Sequence, residues 1–133
     1  MSINKTQVIK HSAAIQISNE VNILQRRAWN VLLANAFDDL KIKDKYEISI
    51  KDLGAILRFD SKNINYLKDA LRALNITQVE WNILEKDNHD WGVMTLLAQA
   101  RIVNGVLIYG YAPDLREMLN KPIMYAKINL MLF

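Results

Sequence analysis

No cysteine occurs among the 133 residues, and that absence removes disulfides, thiolate nucleophiles and Cys-type zinc sites together. It fits a cytoplasmic setting. Proline is confined to Pro113 and Pro122, and the four glycines, Gly54, Gly92, Gly105 and Gly110, are isolated from one another. No GxGxxG, P-loop or GxSxG can be drawn from them, so a glycine-rich phosphate cradle and a nucleophile elbow are both excluded. No Pro/Gly/Ser linker, low-complexity tract or internal repeat divides the chain, and a single domain over residues 1–133 is expected. No apolar run approaches the ~20 residues of a membrane helix, and the opening Met1-Ser2-Ile3-Asn4-Lys5 has no signal-peptide core. Histidine is scarce as well: His11 and His89 are far apart, and neither has a carboxylate at metal-ligand spacing. Neither an enzyme nor a metal or other cofactor is expected.

What is present is a modest, uneven charge. The chain carries 17 basic and 14 acidic side chains, a net +3. Residues 1–75 hold 12 of the basic and 8 of the acidic ones, so the first half is mildly basic and the second slightly acidic. That balance suits contact with a polyanion without demonstrating it, since a solvated surface has the same composition.

The hydrophobic pattern divides the chain into elements. Leu24, Ala28, Val31, Leu32 and Ala36 recur at helical spacing within a glycine-free and proline-free stretch, which predicts a helix over about 19–40. Ser18 or Asn19 is its expected cap, and Glu20 suits the first turn. Residues 8–17 read equally as a short helix or an extended arm. Tyr46 to Ile50 alternates like a strand. Ser49, with Asp52 three residues on, predicts a capping box opening a helix through Leu57. Ser61 then caps a second helix over 62–74, striped by Ile64, Leu67, Leu71 and Leu74. Two helices so closely spaced read as a helix-turn-helix.

Strands are expected over 77–83 and over 91–103, joined by a polar loop at 85–90. Asn104-Gly105 is the favoured type I′ turn and returns the chain through Val106 to Tyr111. In that register Ile102 faces Leu107, Ala100 faces Tyr109, Ala98 faces Tyr111 and Arg101 faces Ile108. Asp114 caps a short helix through Leu119, Pro122 ends it, and an apolar stretch closes the chain. Strand, helix, turn, helix, strand, loop, strand is the order of a winged helix-turn-helix. The expected fold is α+β, with an antiparallel sheet and an additional N-terminal helix.

The helix over 62–74 is the first candidate for nucleic-acid contact. Lys62, Asn65, Tyr66, Asp69 and Arg72 lie opposite its apolar stripe, with Lys68 on the flank; lysine and arginine reach phosphates, and asparagine can bond an adenine edge. Arg26 and Arg27 are outlying candidates. An ordinary solvated helix face is an equally good account of the same residues. The polar loop, read as the wing, carries Glu85, Lys86, Asp87 and Asp90, and that acidity would repel a phosphate backbone. In a continuous strand over 91–103, the second face of the hairpin holds Val93, Thr95, Leu97, Gln99, Arg101 and Val103, opposite Val106 and Ile108, and Val93, Leu97, Arg101, Val103, Val106 and Ile108 are its candidate contact residues. That face is more apolar than solvent requires, and a homodimer interface is the expectation, with cover by a terminal segment as the alternative.

These segments are similar to those of one family. Residues 8–15, Val-Ile-Lys-His-Ser-Ala-Ala-Ile, followed by Leu24-Gln25-Arg26-Arg27-Ala28-Trp29-Asn30, resemble the opening of the iteron-binding plasmid replication initiators, although His11-Ser12-Ala13 departs from the family's serine-asparagine. The resemblance continues through Ile48-Ser49-Ile50-Lys51-Asp52-Leu53, Tyr66 to Leu74, Trp91-Gly92, Tyr109 to Leu115 and Tyr125 to Leu130. It implies the first of two winged helices, the half concerned with dimerisation, regulation and DNA-backbone contact, with the iteron-reading second domain expected to lie beyond Phe133. It implies DNA at a plasmid origin and a second copy as partners, to which host replication proteins are added as a further expected class, with no membrane. A stand-alone winged-helix transcriptional regulator and an interaction module that binds no DNA remain rival readings.

Overall fold

The computed structural model describes residues 13–18, 20–60 and 62–132. Of the segment that reads as helix or arm, Ala13–Ile17 is a strand, β1, and residues 8–12 lie outside the described residues. Helix α1, Ile23–Ala36, begins later than expected, and the reason is local. Ser18 is held by the sheet: its N–H donates to the Gln78 carbonyl at 3.0 Å, and its Oγ accepts from the Gln78 N–H at 2.9 Å. The chain therefore stays extended past Ser18, Glu20 falls outside the helix, and Asn22 caps instead; Asn19 lies outside the described residues. Asn22 Oδ1 accepts from the Gln25 N–H at 2.8 Å, and Gln25 Oε1 accepts from the Asn22 N–H at 3.1 Å, a complete capping box. Ala28, Trp29, Leu32, Leu33 and Ala36 form its buried face, and a single 3-10 turn, Phe37–Asp39, ends it.

Strand β2, Tyr46–Ser49, runs directly into helix α2, Ile50–Leu57, with Ser49 Oγ accepting from the Asp52 N–H at 3.0 Å. Arg58 closes α2 in the left-handed conformation, φ 60°. Helix α3 is Ile64–Ile76; Ser61, its expected cap, lies outside the described residues, and Asn63 holds the cap position without a side-chain bond. Leu67, Ala70, Leu71 and Leu74 bury its apolar stripe.

Then follow β3, Gln78–Glu85, and β4, Asn88–Thr95, then β5, Gln99–Val103, and β6, Val106–Gly110. They form two antiparallel three-stranded sheets, ordered β1-β3-β4 and β2-β6-β5. The strand expected over 91–103 is thus two strands in different sheets. The break falls at Leu96-Leu97-Ala98, where the Leu96 N–H donates to the Thr77 carbonyl at 2.9 Å and the Leu97 N–H to the Leu74 carbonyl at 3.2 Å. Both leucines are fully buried, so the chain crosses the core between the sheets instead of running along one of them.

This partition moves the wing. β2, α2, α3, β5 and β6 make the winged helix, with α1 ahead of it, because β2 pairs with β6 and β6 with β5. Its wing is the tight β5–β6 hairpin, turned at Asn104 (φ 50°) and Gly105 (φ 76°). The β3–β4 hairpin, whose acidic tip the sequence suggests as the wing, is instead an insertion between α3 and β5 that pairs with β1 to form the second sheet. The β5–β6 register is the expected one over Ile102↔Leu107, Arg101↔Ile108 and Ala100↔Tyr109.

Helix α4, Pro113–Leu119, has Ala112 as its cap and Pro113 in its first turn, with Asp114 just inside instead of capping. Pro122, expected as a terminator, opens helix α5, Pro122–Leu132, for the same reason: a first-turn N–H has no helical partner to lose. One core joins the two sheets to the helices, from Trp29 through Trp81, Leu97 and Tyr109 to Leu132.

Candidate nucleic-acid and self-association surfaces

The buried stripe of α3 leaves Lys62, just ahead of the helix, and Asn65, Tyr66, Asp69 and Arg72 exposed, with Lys68 half-buried at the flank. Arg72 Nη1 lies 2.9 Å from Asp69 Oδ1, three residues back on the helix, with both side chains at least 70% exposed. Such a solvated pair is worth about 0–1 kcal/mol, so a phosphate can compete for the guanidinium. Lys51 and Arg58, exposed on α2 and at its end, add two cations to the same helix-turn-helix; only their positions on a short helix could have pointed to them. Arg26 and Arg27 lie on α1, off this face. Arg26 Nε donates to the Val21 carbonyl at 2.9 Å, a bond that secures the entry to α1. Arg27 is exposed.

Relocating the wing changes the electrostatics. Glu85, Lys86, Asp87 and Asp90 belong to the inserted hairpin, so the repulsion expected of an acidic wing does not arise. The true wing has an uncharged tip, Val103-Asn104-Gly105-Val106, with exposed Arg101 two residues behind it. Its position relative to the helices is fixed, because the Ile50 N–H at the start of α2 donates to the Gly105 carbonyl at 2.9 Å.

The six residues assigned to one dimer face are not together. Leu97 is fully buried between the sheets and belongs to the core. Val93 is on the outer face of the β1-β3-β4 sheet, in a row with Gln16 and Glu80. Arg101, Val103, Val106 and Ile108 do share a face, on the outside of the β2-β6-β5 sheet, where the rows are Glu47, Ile108, Arg101 and Ser49, Val106, Val103. Sequence reasoning missed the more apolar surface. Trp91 is 61% exposed and Leu84 53% exposed, both on the Val93 face, and Trp91 Nε1 donates to Glu80 Oε2 at 3.1 Å. The signal was available: Leu84 and Trp91 interrupt the polar phase of two alternating strands.

Behind the wing sheet lies a rigid polar anchor. Asn35 Nδ2 donates to Tyr109 OH at 2.9 Å and to the Glu47 carbonyl at 3.0 Å, and Tyr109 OH donates to the Leu32 carbonyl. These bonds tie α1 to β2 and β6. Burial pushes the Tyr109 phenol up to about 12, and raises Tyr111 well above its ordinary value. Tyr46 is raised more gently by burial, against the Arg116 guanidinium that lowers it. Neutral phenols at these positions are structural. Among the described residues no group of three or more His, Asp or Glu is placed to hold a metal, and no described helix is long and apolar enough to cross a membrane.

The chain is similar to two solved structures in fold. The WH1 domain of MSBI1.176, a replication protein isolated from a multiple sclerosis patient, superposes with a TM-score of 0.59 at 12% identity, over 86% of this chain and 87% of that one. A structure of domains 2 and 3 of RctB superposes with a TM-score of 0.50 at 15% identity, over 85% of this chain and 53% of that one. No curated protein sequence matches the chain. The family model described as "Initiator Replication protein, WH1" matches residues 7–133. With that match over nearly the whole length, and a winged helix in place, the chain belongs to the replication initiator family, of which it carries the WH1 domain.

Proposed function

We propose that this domain serves a plasmid replication initiator in the cytoplasm as its self-associating, backbone-contacting half, without catalytic activity of its own. The observation that carries the reading is the exposed row of Lys62, Asn65 and Arg72 on and beside α3, with half-buried Lys68 at its flank, in a winged helix whose wing tip bears no acidic residue. Lysines and an arginine so placed engage phosphates, which position a protein on a duplex without reading its sequence. Binding is therefore of similar strength on unrelated duplexes. The test is titration of the domain with an origin fragment and with a shuffled duplex of equal length. Affinities within a few-fold of each other are expected, and recognition of the origin alone by two or more orders of magnitude contradicts the reading.

Self-association is assigned to an outward sheet face. Trp91, Leu84 and Val93 on the β1-β3-β4 sheet are the stronger apolar group, with Val103, Val106 and Ile108 on the wing sheet as the second. Burying apolar surface contributes about 25 cal/mol per Å² toward offsetting the costs of association, and a two-fold arrangement brings the same patch together from both copies. Sedimentation of Trp91→Glu and Ile108→Glu separates the two faces: the variant that yields a folded monomer marks the interface, and a monomeric unaltered domain at high concentration removes this part of the reading. Host replication proteins are further partners of the proposed role.

A further inference from the structure

β5 is an edge strand: β6 pairs with one side of it, and no described strand pairs with the other. The two-residue turn makes Val103↔Val106 the closing hydrogen-bonded pair, and bonded and non-bonded pairs alternate back along the ladder from there. The Ile50 N–H to Gly105 carbonyl bond, beside the Ser49↔Val106 pair, sets the same phase from the β2 side. Ala100 and Ile102 therefore turn both N–H and C=O away from β6, toward the open edge.

Helix α3 stands across that edge. Between them runs a groove of about 520 Å³, floored by Ile64, Leu71, Ala100 and Ile102 and rimmed on the helix side by Lys68 and Arg72. Ile64, Ala100 and Ile102 pack on the core yet remain only half-buried, so the core is incompletely covered along this line. The groove has a fixed end: Asn75 Nδ2 donates to the Leu97 carbonyl at 3.0 Å and to the Ala98 carbonyl at 3.3 Å, holding the last turns of α3 against the entry to β5.

The geometry points to a docking site for an extended peptide of a partner protein, carrying apolar and acidic residues in turn along one strand face, which adds to β5 as a fourth strand of the wing sheet. The spacing of the outward backbone groups, every second residue or about 6.8 Å, is matched by another strand and not by a helix, whose backbone bonds are spent internally. Alternate inward side chains cover Ile64, Leu71, Ala100 and Ile102. Carboxylates on the same inward face meet Lys68 and Arg72, where Asp69 already supplies one weak, solvated partner. Duplex DNA could use the same two cations and offer phosphate oxygens to the N–H groups, but its phosphate backbone has no donors for the C=O groups between them. Peptide and DNA backbone consequently compete for Lys68 and Arg72. This inference goes beyond the proposed DNA contact and does not rest on it.

The experiment is NMR titration of the ¹⁵N-labelled domain with three synthetic nonapeptide pools. One has Val or Ile and Asp or Glu in turn at every second position with Thr between, the second has Lys in place of the acids, and the third is the first in scrambled order. The acidic alternating pool is expected to shift the Ala100 and Ile102 amides and slow their exchange, at concentrations about tenfold below either comparator. Ala100→Pro removes one outward N–H at an edge position that tolerates proline, and it should abolish the effect. Lys68→Glu should transfer the preference to the lysine pool, which keeps the test decisive if Ala100→Pro does not fold. Lys86→Glu, on the inserted hairpin, should change nothing. Equal binding of the scrambled pool, no response at Ala100 and Ile102, or a response to duplex DNA where no pool gives one, each overturns the proposal.

Discussion

A Cβ placed on Gly92 would lie 2.3 Å from the Trp81 ring, because the two residues face each other across β3 and β4 and the indole occupies the space a side chain would take. Trp81 is buried and has nowhere to retreat. Gly92→Ala should therefore cost about 1–3 kcal/mol through overpacking, read as a lower urea midpoint at unchanged m-value. Gly105 is constrained differently: nothing lies within 4 Å, but its φ of 76° is left-handed, so Gly105→Ala should cost only about 1–2 kcal/mol. The buried tyrosines separate in the same way. Tyr109→Phe breaks bonds to Asn35 and Leu32, whereas the Tyr111 hydroxyl is buried without a hydrogen-bond partner among the described residues. The first substitution should destabilise by about 1 kcal/mol more than the second in paired denaturation curves. Tyr109 also sets an alkaline limit. An unfolded phenol ionises near 10 and the folded one only near 12, so folding holds the neutral form. The stability from that neutral phenol is complete below pH 10 and is lost as pH rises through 12; circular dichroism should show unfolding in that window, shifted upward in Tyr109→Phe.

Among the elements, the helices were largely legible and the sheets were not. Helical periodicity is a local signal, and it located α1, α2 and α3 to within a few residues of their ends, while of the expected caps Ser49 alone is seen in place, at α2. The start of α1 was displaced because Ser18 bonds to Gln78, sixty residues away, which no local pattern announces. Leu96 and Leu97 read as the middle of one strand because a crossing through the core and a doubly buried strand are equally apolar. What distinguishes them is pairing, a property of distant segments. The same error moved Leu97 into a surface patch, put the wing at the acidic hairpin, and hid Trp91 and Leu84 as the larger exposed group. Leu97→Glu should accordingly leave an unfolded or aggregated chain, as burial of an unpaired carboxylate demands, while Trp91→Glu should fold with near-native circular dichroism. A folded Leu97→Glu domain would put the crossing segment at the surface instead.

At the scale of the whole molecule, the winged helix is built on β2-β6-β5 with α2 and α3, and the β1-β3-β4 sheet is packed onto it through a shared core. Surfaces are thereby divided. The cations of α3 lie with the wing, and the exposed tryptophan lies on the inserted sheet. Separate variants should thus separate DNA contact from self-association, with Arg72→Ala leaving the sedimentation coefficient unchanged. Family membership was legible because its motifs are spread over the chain, and the exposure of Lys62, Asn65 and Arg72 was legible because they lie opposite one helical stripe. The measurement that tests the central claim most directly is the salt dependence of duplex binding for the unaltered domain and for Lys68→Ala and Arg72→Ala. Each phosphate contact releases counterions, so each single substitution should lower the magnitude of the slope of log K against log salt by about one, on origin and shuffled duplexes alike. Slopes unchanged by both substitutions, with affinity retained, would contradict the assignment of α3 as the DNA-facing element.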